Sequence, residues 1–300
     1  MGAPGGRPHR DQGRRPVSGA LHLISTPIGN LSDISPRAIE AIAAADLVCC
    51  EDTRRTGRLL QHLGVSARRL AVCNEHTEFD LIGEVIDLVA SGASVAVVSD
   101  AGTPALSDPG SRLVAAAAAA GLRVEAVPGP SALLAALVVS GLDTSRFSFE
   151  GFLPRSGRDR AERLTDVASS DATVVLYEAP HRLERTLVDL REVCGDDRPV
   201  AISRELTKIH EETIRGTLGE IEVGAPRGEY VIVLGARPTP DTPVDESTIR
   251  RMLEGELAAG ASRRDAASAV ARRLGVPRRT AYDLVIAMAK EPDTDPGTDR

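Results

Sequence analysis

The run Val95-Ala-Val-Val98 stops abruptly in Ser99-Asp-Ala-Gly-Thr-Pro-Ala-Leu-Ser-Asp-Pro-Gly110, a change from apolar, mostly β-branched residues to small, turn-forming ones. A buried strand that ends in such a loop constrains the fold. Its glycines and prolines let a ligand approach the backbone, and Asp100 supplies an acceptor at the strand's carboxyl end. Asp108-Pro109 reads as the cap and first turn of the alanine-rich helix that follows. In an open α/β sheet this edge is where ligands bind. A tight strand-to-helix turn without a ligand accounts for the same residues equally well.

Short apolar runs alternate with helical patterns through the first half of the chain. Residues 21–25, 47–50, 70–73, 95–99 and 124–127 have strand length, and helical spacing covers 35–45, 54–63, 80–90, 109–120 and 131–140 between and after them. This β-α repetition predicts a mostly parallel sheet covered on both faces. After a break at 141–145 come strands at 147–150, 173–177, 199–203, 212–216 and 230–234, with helices only at 159–168 and 181–193. Strands outnumber helices here, so antiparallel pairs are expected. The expected divisions are a disordered extension over 1–20, α/β domains over 21–143 and 144–237, a proline-rich linker over 238–246, a helical module over 247–290 and an acidic tail over 291–300.

Composition narrows the function classes. Three hundred residues suffice for about two domains. Aromatics make up only 2%, with no tryptophan, which disfavours a broad stacking surface for single-stranded nucleic acid. A net charge of -7 disfavours a uniformly basic nucleic-acid binder, so such a partner must be met by local patches. The module over 247–290 is one, with nine Lys and Arg against four Asp and Glu, and its pattern of helix, Gly275 turn and helix has helix-turn-helix spacing. A small helical bundle that mediates protein contacts is the plainer reading. The four cysteines show no C-x-x-C and no clustering with histidine, so a reduced, cytoplasmic protein without a metal site is expected. The first twenty residues lack the apolar core of a signal peptide, and no apolar run approaches membrane-spanning length.

Two further loops rich in Gly and Pro follow strands, Ser25-Thr-Pro-Ile-Gly-Asn-Leu31 and Val127-Pro-Gly-Pro-Ser-Ala132, and three such loops can line one pocket. Neither a dinucleotide fingerprint nor a P-loop is present. Together with Glu51-Asp-Thr-Arg54, Gly151-Phe-Leu-Pro154, Tyr177-Glu-Ala-Pro-His-Arg182 and Arg204-Glu-Leu-Thr-Lys208, these motifs resemble the ribosomal RNA small subunit methyltransferase I family of the tetrapyrrole methylase-like superfamily. The resemblance runs from about Leu21 to Ala236, and the terminal helices resemble the family's helix-turn-helix extension. It implies two α/β domains of the tetrapyrrole methylase type with a cofactor cleft between them. It further implies S-adenosylmethionine as cofactor, methylation of a cytidine ribose 2′-hydroxyl in the decoding region of 16S rRNA within the 30S subunit, and a homodimer. By motif, the cofactor contacts fall on Pro27, Ser99, Asp100, Gly102, Thr103, Ser131, Ala132, Tyr177, Glu178 and Leu206. The superfamily's usual Gly-Asp-Pro is Ser-Asp-Ala here, so Asp100 carries more weight than its neighbours.

A ribose hydroxyl is a weak nucleophile that benefits from a positioned base. His181, Glu205 and Lys208 are candidates as base or orienter. Lys208 stands out because the chain has only two lysines among 36 basic residues, although a surface lysine that escaped this bias explains it as well. Arg54, Arg55, Arg58 and Arg182 are candidates for RNA phosphates through bidentate forks, with solvated surface arginine as the plain alternative. Two other function classes share these features: a methylase of a corrin or porphyrin precursor, and a DNA-binding regulator whose α/β body senses a ligand.

Overall fold

The first five strands are β1 (Ala20–Ile24), β2 (Leu47–Cys50), β3 (Leu70–Val72), β4 (Ser94–Val98) and β5 (Arg123–Val127), and all pair in parallel in the order β3-β2-β4-β1-β5. This is a computed structural model, and it describes residues 19–224, 226–238, 245–274, 276 and 278–288. Most of the expected extension and linker, the Gly275 turn, Lys290 and the acidic tail lie outside the described residues. Strands β2 and β4 are buried along their whole length, because helices cover both faces of the sheet. Helices α1 (Pro36–Ala44) and α2 (Thr53–Leu63) close one face, with Ile42 and Leu60 on Ile24, Val48 and Val98. Helices α3 (Glu78–Ala90) and α4 (Ser111–Ala119) close the other, with Val85, Val89 and Leu113 on Leu21, Leu47 and Val97. Side chains alternate along a strand, so the neighbouring Cys49 and Cys50 point into opposite cores. Burial pushes the Cys49 thiol up to about 12, which makes it an inert core group.

Local chemistry starts these helices. Ser35 accepts from Ala38 N with Pro36 in the first turn of α1, and Asp52 accepts from Arg54 N at 2.8 Å to start α2. The start of α4 differs from expectation. Asp108 does not cap it. Glu78 Oε1, buried at the head of α3, accepts from Gly110 N (3.0 Å), Arg112 N (2.8 Å) and Leu113 N (3.2 Å). A carboxylate suits the positive end of a helix, and this one reaches three donors that a local cap cannot satisfy together.

The second sheet has the order β6-β7-β10-β8-β9, built from β6 (Phe147–Phe152), β7 (Thr173–Glu178), β8 (Pro199–Arg204), β9 (Glu212–Thr217) and β10 (Tyr230–Leu234). The expected antiparallel pairing holds for three of its pairs. The exception is β6 with β7, parallel because α6 (Gly157–Ser169) connects them as a crossover. Helices α6 and α7 (Leu183–Cys194) bury Leu164 and Leu190 on Leu176, Ile202 and Ile232. The opposite face is covered by α5 (Ala132–Val139), which follows β5 yet packs Leu133, Ala136 and Leu137 on Val175, Ala201 and Val233.

Side chains of the second sheet hold α5 at both ends. The Tyr177 hydroxyl accepts from Leu133 N at 3.1 Å, and Arg215 on β9 donates from Nε to Ser140 O at 3.1 Å and from its terminal nitrogen to Val139 O. An acceptor at the first turn and a cation at the last satisfy the orphan groups of both termini. Beyond residue 245, α8 (Glu246–Ala258), α9 (Arg263–Leu274) and α10 (Arg278–Met288) share a separate core of Ile249, Leu253, Val270, Ala281 and Val285. Among the described residues no helix is long and apolar enough to cross a membrane.

Replacing Glu78 by Ala leaves three backbone donors without their acceptor, and the expected loss is about 2–4 kcal/mol. Glu78→Gln, which keeps the shape and loses the charge, should lose less. Urea midpoints for the two variants check this; an unchanged midpoint for the alanine variant rejects the capping role.

Candidate active site

Strands β1 and β4 are neighbours whose chains leave to opposite faces of the sheet, which opens a crevice at their carboxyl ends. Hydroxyl groups fasten the loops that line it. Thr26 and Gly102 exchange backbone hydrogen bonds (2.9 and 3.1 Å), and Thr26 Oγ1 donates to Ser99 O at 3.1 Å. Ser99 Oγ donates to Gly102 O, and Thr103 Oγ1 donates to Pro130 O, both at 3.1 Å. With the Thr103 proton committed, Ser25 Oγ is the donor in its 3.1 Å contact with Thr103. The three loops are therefore one fastened unit.

The second sheet meets this unit at two tight points. A Cβ on Gly29 would lie 2.8 Å from Thr207 Oγ1 and 3.1 Å from Leu206 O, so only glycine admits the loop over 205–211. Beside it, Asn30 N donates to Thr207 Oγ1 at 3.0 Å. A Cβ on Gly151 would lie 2.8 Å from Ser107 Oγ, and here β6 carries a register shift between Phe149 and Gly151. Among the described residues, the non-glycine residues of positive φ are Ala105, Ser107, Glu205 and Thr207, at 69°, 62°, 49° and 66°. They fall in the two loops that meet across the crevice. Such backbone costs about 1–3 kcal/mol per residue and gathers where a site demands it.

Between the halves lies a cavity of about 480 Å³. Ile28, Leu106, Ala132, Leu206 and Val231 give it an apolar wall, and Phe152 packs edge-on against Tyr177 with ring centres 5.7 Å apart. Six carboxylates also line it: Glu51, Asp100, Asp108, Glu178, Glu205 and Glu229. Asp100 Oδ2 lies 3.2 Å from Arg55, its Oδ1 accepts from Asp52 N, and its own N–H donates to Glu51 Oε1 at 3.1 Å. Lys208 Nζ lies 2.8 Å from Glu205 and 4.0 Å from Glu229. Burial first, then the Asp100 charge, raises the Glu51 carboxyl against a backbone hydrogen bond that lowers it, whereas the Lys208 hydrogen bond holds Glu205 low. Asp108 is pushed up to about 7, by burial first and then by the charge of Glu51. An aromatic and aliphatic wall facing several carboxylates, with Arg55 and Lys208 beside them, fits a small zwitterion of excess positive charge that carries a flat ring. Its volume is within the usual range for such ligands. Among the described residues no group of His, Cys, Asp and Glu is arranged to hold a metal ion.

The family model described as Tetrapyrrole (Corrin/Porphyrin) Methylases matches residues 20–222. A Synechocystis sp. protein named Ribosomal RNA small subunit methyltransferase I is 42% identical over 275 residues, covering 90% of this chain and 98% of its own. The protein of that name from Mycobacterium tuberculosis is 44% identical over 280 residues, covering 91% and 97%. This chain belongs to the ribosomal RNA small subunit methyltransferase I family. Among solved structures, the methyltransferase CobJ matches with a TM-score of 0.57 and 22% identity over 75% of this chain and 98% of that one, a likeness of fold alone. Diphthine synthase matches at 0.55 and 19%, over 72% and 89%.

In this member of the family, Asp100, Gly102, Thr103, Ser131, Ala132, Tyr177, Glu178 and Leu206 line the cavity, as do His181, Glu205, Lys208 and Arg55. Ser99 is buried behind it as a loop fastener, and Pro27 lies in the strand-end loop without lining it. Glu178 is tied down by Ala179 N (2.8 Å), Thr186 Oγ1 (2.6 Å) and Arg182 (3.3 Å). Arg182 also donates to Leu153 O at 2.6 Å, so its guanidinium serves the protein's own backbone and not the surface. Arg54 closes on Asp52 at the exposed start of α2, and Arg58 is exposed one turn on. Sequence reasoning missed Glu51, Asp108 and Glu229. Glu51 stood in the motif Glu51-Asp-Thr-Arg54 and Asp108 in the loop after β4, where the capping pattern concealed it; Glu229 stood in no motif.

Asp108 also sets a pH dependence of stability. Its carboxyl is raised in the folded chain above its unfolded value of 3.8, so its stabilising contribution is complete below that value and is lost as pH rises through about 7. The Tm of the wild type minus that of Asp108→Asn should therefore fall between pH 4 and pH 7. A difference independent of pH over this span rejects the raised value.

Proposed function

We propose that the chain transfers a methyl group from S-adenosylmethionine to the ribose 2′-hydroxyl of a cytidine in the decoding region of 16S rRNA, within the 30S subunit. The observation that carries this is identity of 42–44% over about nine-tenths of the chain with proteins named Ribosomal RNA small subunit methyltransferase I. The bound cofactor supplies an electrophilic methyl group on a positively charged sulfur. Asp100, Gly102, Thr103, Ser131, Ala132, Tyr177 and Leu206 hold it from both sides of the crevice, with Pro27, Ser99 and Glu178 setting the shape of that wall. The carboxylates complement its charge, and the fastened loops fix its orientation, which in-line transfer requires.

Lys208 and Glu205, paired across the rim, and His181 beside them orient the incoming ribose. Arg58, Arg54 and Arg55 on α2 meet RNA phosphates, and Arg182 supports them from within by anchoring Glu178. The two α/β domains divide at 143/144, and α8 to α10 act as a helix-turn-helix-like module that docks the RNA. Support comes from its separate core and its excess of five positive charges over 247–290. The protein works in the cytoplasm as a homodimer, and the exposed Leu134 and Val138 on α5 offer such a partner an apolar face.

Incubation with methyl-labelled S-adenosylmethionine and 30S subunits, naked 16S rRNA, duplex DNA or a tetrapyrrole precursor tests the reading. Label should enter RNA at one cytidine whose 3′ linkage resists alkali; label in the tetrapyrrole alone overturns it. Lys208→Ala should lower single-turnover methylation by about tenfold or more with cofactor affinity kept, since an orienting group acts on the rate. A chain ending at residue 244 should bind the cofactor normally, show a higher KM for the subunit and respond less steeply to salt. An unchanged salt slope assigns the three helices to assembly.

A further inference from the structure

The acceptor hydroxyl must lose a proton when its oxygen is methylated, and most cavity groups are already committed. Lys208 Nζ is paired with the Glu205 carboxylate 2.8 Å away, and Glu205 is lowered by that contact. Asp100 is paired with Arg55, Glu178 accepts from three partners, and Glu51 accepts from Asp100 N. Glu229 is largely in water at 81% exposure. Asp108 differs from all of these. Among the described residues it takes no ion pair and accepts no backbone N–H; its hydrogen bond is with the neutral Ser99 hydroxyl, and it is half-buried in the cavity wall.

Its position is imposed by the fold. Ala105 N donates to Pro109 O at 3.1 Å and closes a tight turn around it, with Ala105 and Ser107 both in left-handed backbone. Glu78 takes the helix-capping duty that would otherwise turn the Asp108 carboxylate back to its own backbone. Ser107 is wedged against Gly151 of the second sheet, so the turn is braced where the halves meet.

On the reading that the chain methylates a ribose hydroxyl, we propose that Asp108 is the general base of the transfer. The ribose oxygen forms its bond to the methyl carbon, the carbon–sulfur bond breaks with its electron pair left on sulfur, and the hydroxyl proton passes to the Asp108 carboxylate. The resulting carboxylic acid returns the proton to water after the product leaves. The groups whose charge Asp108 feels are Glu51 at the end of β2, Asp100 at the end of β4 and Glu229 before β10, with the Tyr177 hydroxyl opposite. This ring, together with burial, holds its carboxyl near neutrality, the range in which a base is both available and strong enough.

The test compares wild type, Asp108→Asn and Asp108→Glu as full chains. In cofactor-free protein labelled with carboxyl-¹³C aspartate, one resonance should titrate near pH 7 and be missing from the asparagine variant. With 30S subunits and saturating cofactor, single-turnover methylation by the wild type should rise tenfold per pH unit and then level off, at a break that the cofactor's positive charge draws below the value of the empty site. Asp108→Asn should lose about 10²–10⁴-fold and lose the pH dependence, while its cofactor Kd, from calorimetry, stays within about threefold. Asp108→Glu should recover part of the rate and a rising limb, which a merely structural role would not give. An asparagine variant that matches the wild type in rate or keeps its pH profile overturns the role of Asp108 alone, as does a loss confined to cofactor Kd. A wild type that methylates no ribose in the subunit overturns the proposed substrate and this role with it.

Discussion

The clamp on α5 is the constraint on which the cleft depends. A helix that the chain delivers from the parallel sheet is held by Tyr177 at its head and Arg215 at its tail, both from the mixed sheet. Its Leu133, Ala136 and Leu137 are buried against that same sheet. Separating the halves would expose this core and leave both helix termini unsatisfied at once, so the crevice has walls of defined spacing. The fastened loops, the contact of Gly29 with the loop over 205–211 and the left-handed backbone on either side all presuppose that spacing.

Rigid walls let the site tolerate an unusual charge distribution. Six carboxylates line one cavity, and the cations paired with them, Arg55, Arg182 and Lys208, neutralise only part of that charge. The surplus negative potential is a standing cost to the folded chain that a bound cation relieves, so the residues that bind most strongly also strain the empty site. Backbone strain at Ala105, Ser107, Glu205 and Thr207 adds to the same balance. Stability and binding are therefore linked through one set of residues.

Much of the parallel sheet was legible in the sequence because its strands are continuous apolar runs and its helices have clear spacing and local caps, as at Ser35 and Asp52. The three glycine- and proline-rich loops were legible as a shared edge for the same reason. What escaped reading depended on contacts distant in the chain. Asp108 looked like a cap because Asp-Pro before a helix is a local pattern, and only the fold brings Glu78 across to take that duty. Glu51 and Glu229 reach the cavity from strand ends 178 positions apart, which no spacing rule connects. The parallel pairing of β6 with β7 likewise depends on where the crossover helix finds room.

The chain's near-exclusion of lysine gives its cleft a chemical address. Of its two ε-amino groups, one belongs to Lys208, partly accessible at the rim and held against Glu205. A reagent selective for primary amines, passing over thirty-four guanidinium groups, meets very few targets in the whole molecule. One of them sits where the two halves face each other. The occupancy of the cleft can therefore be read out by simple covalent footprinting, without engineering any label into the chain.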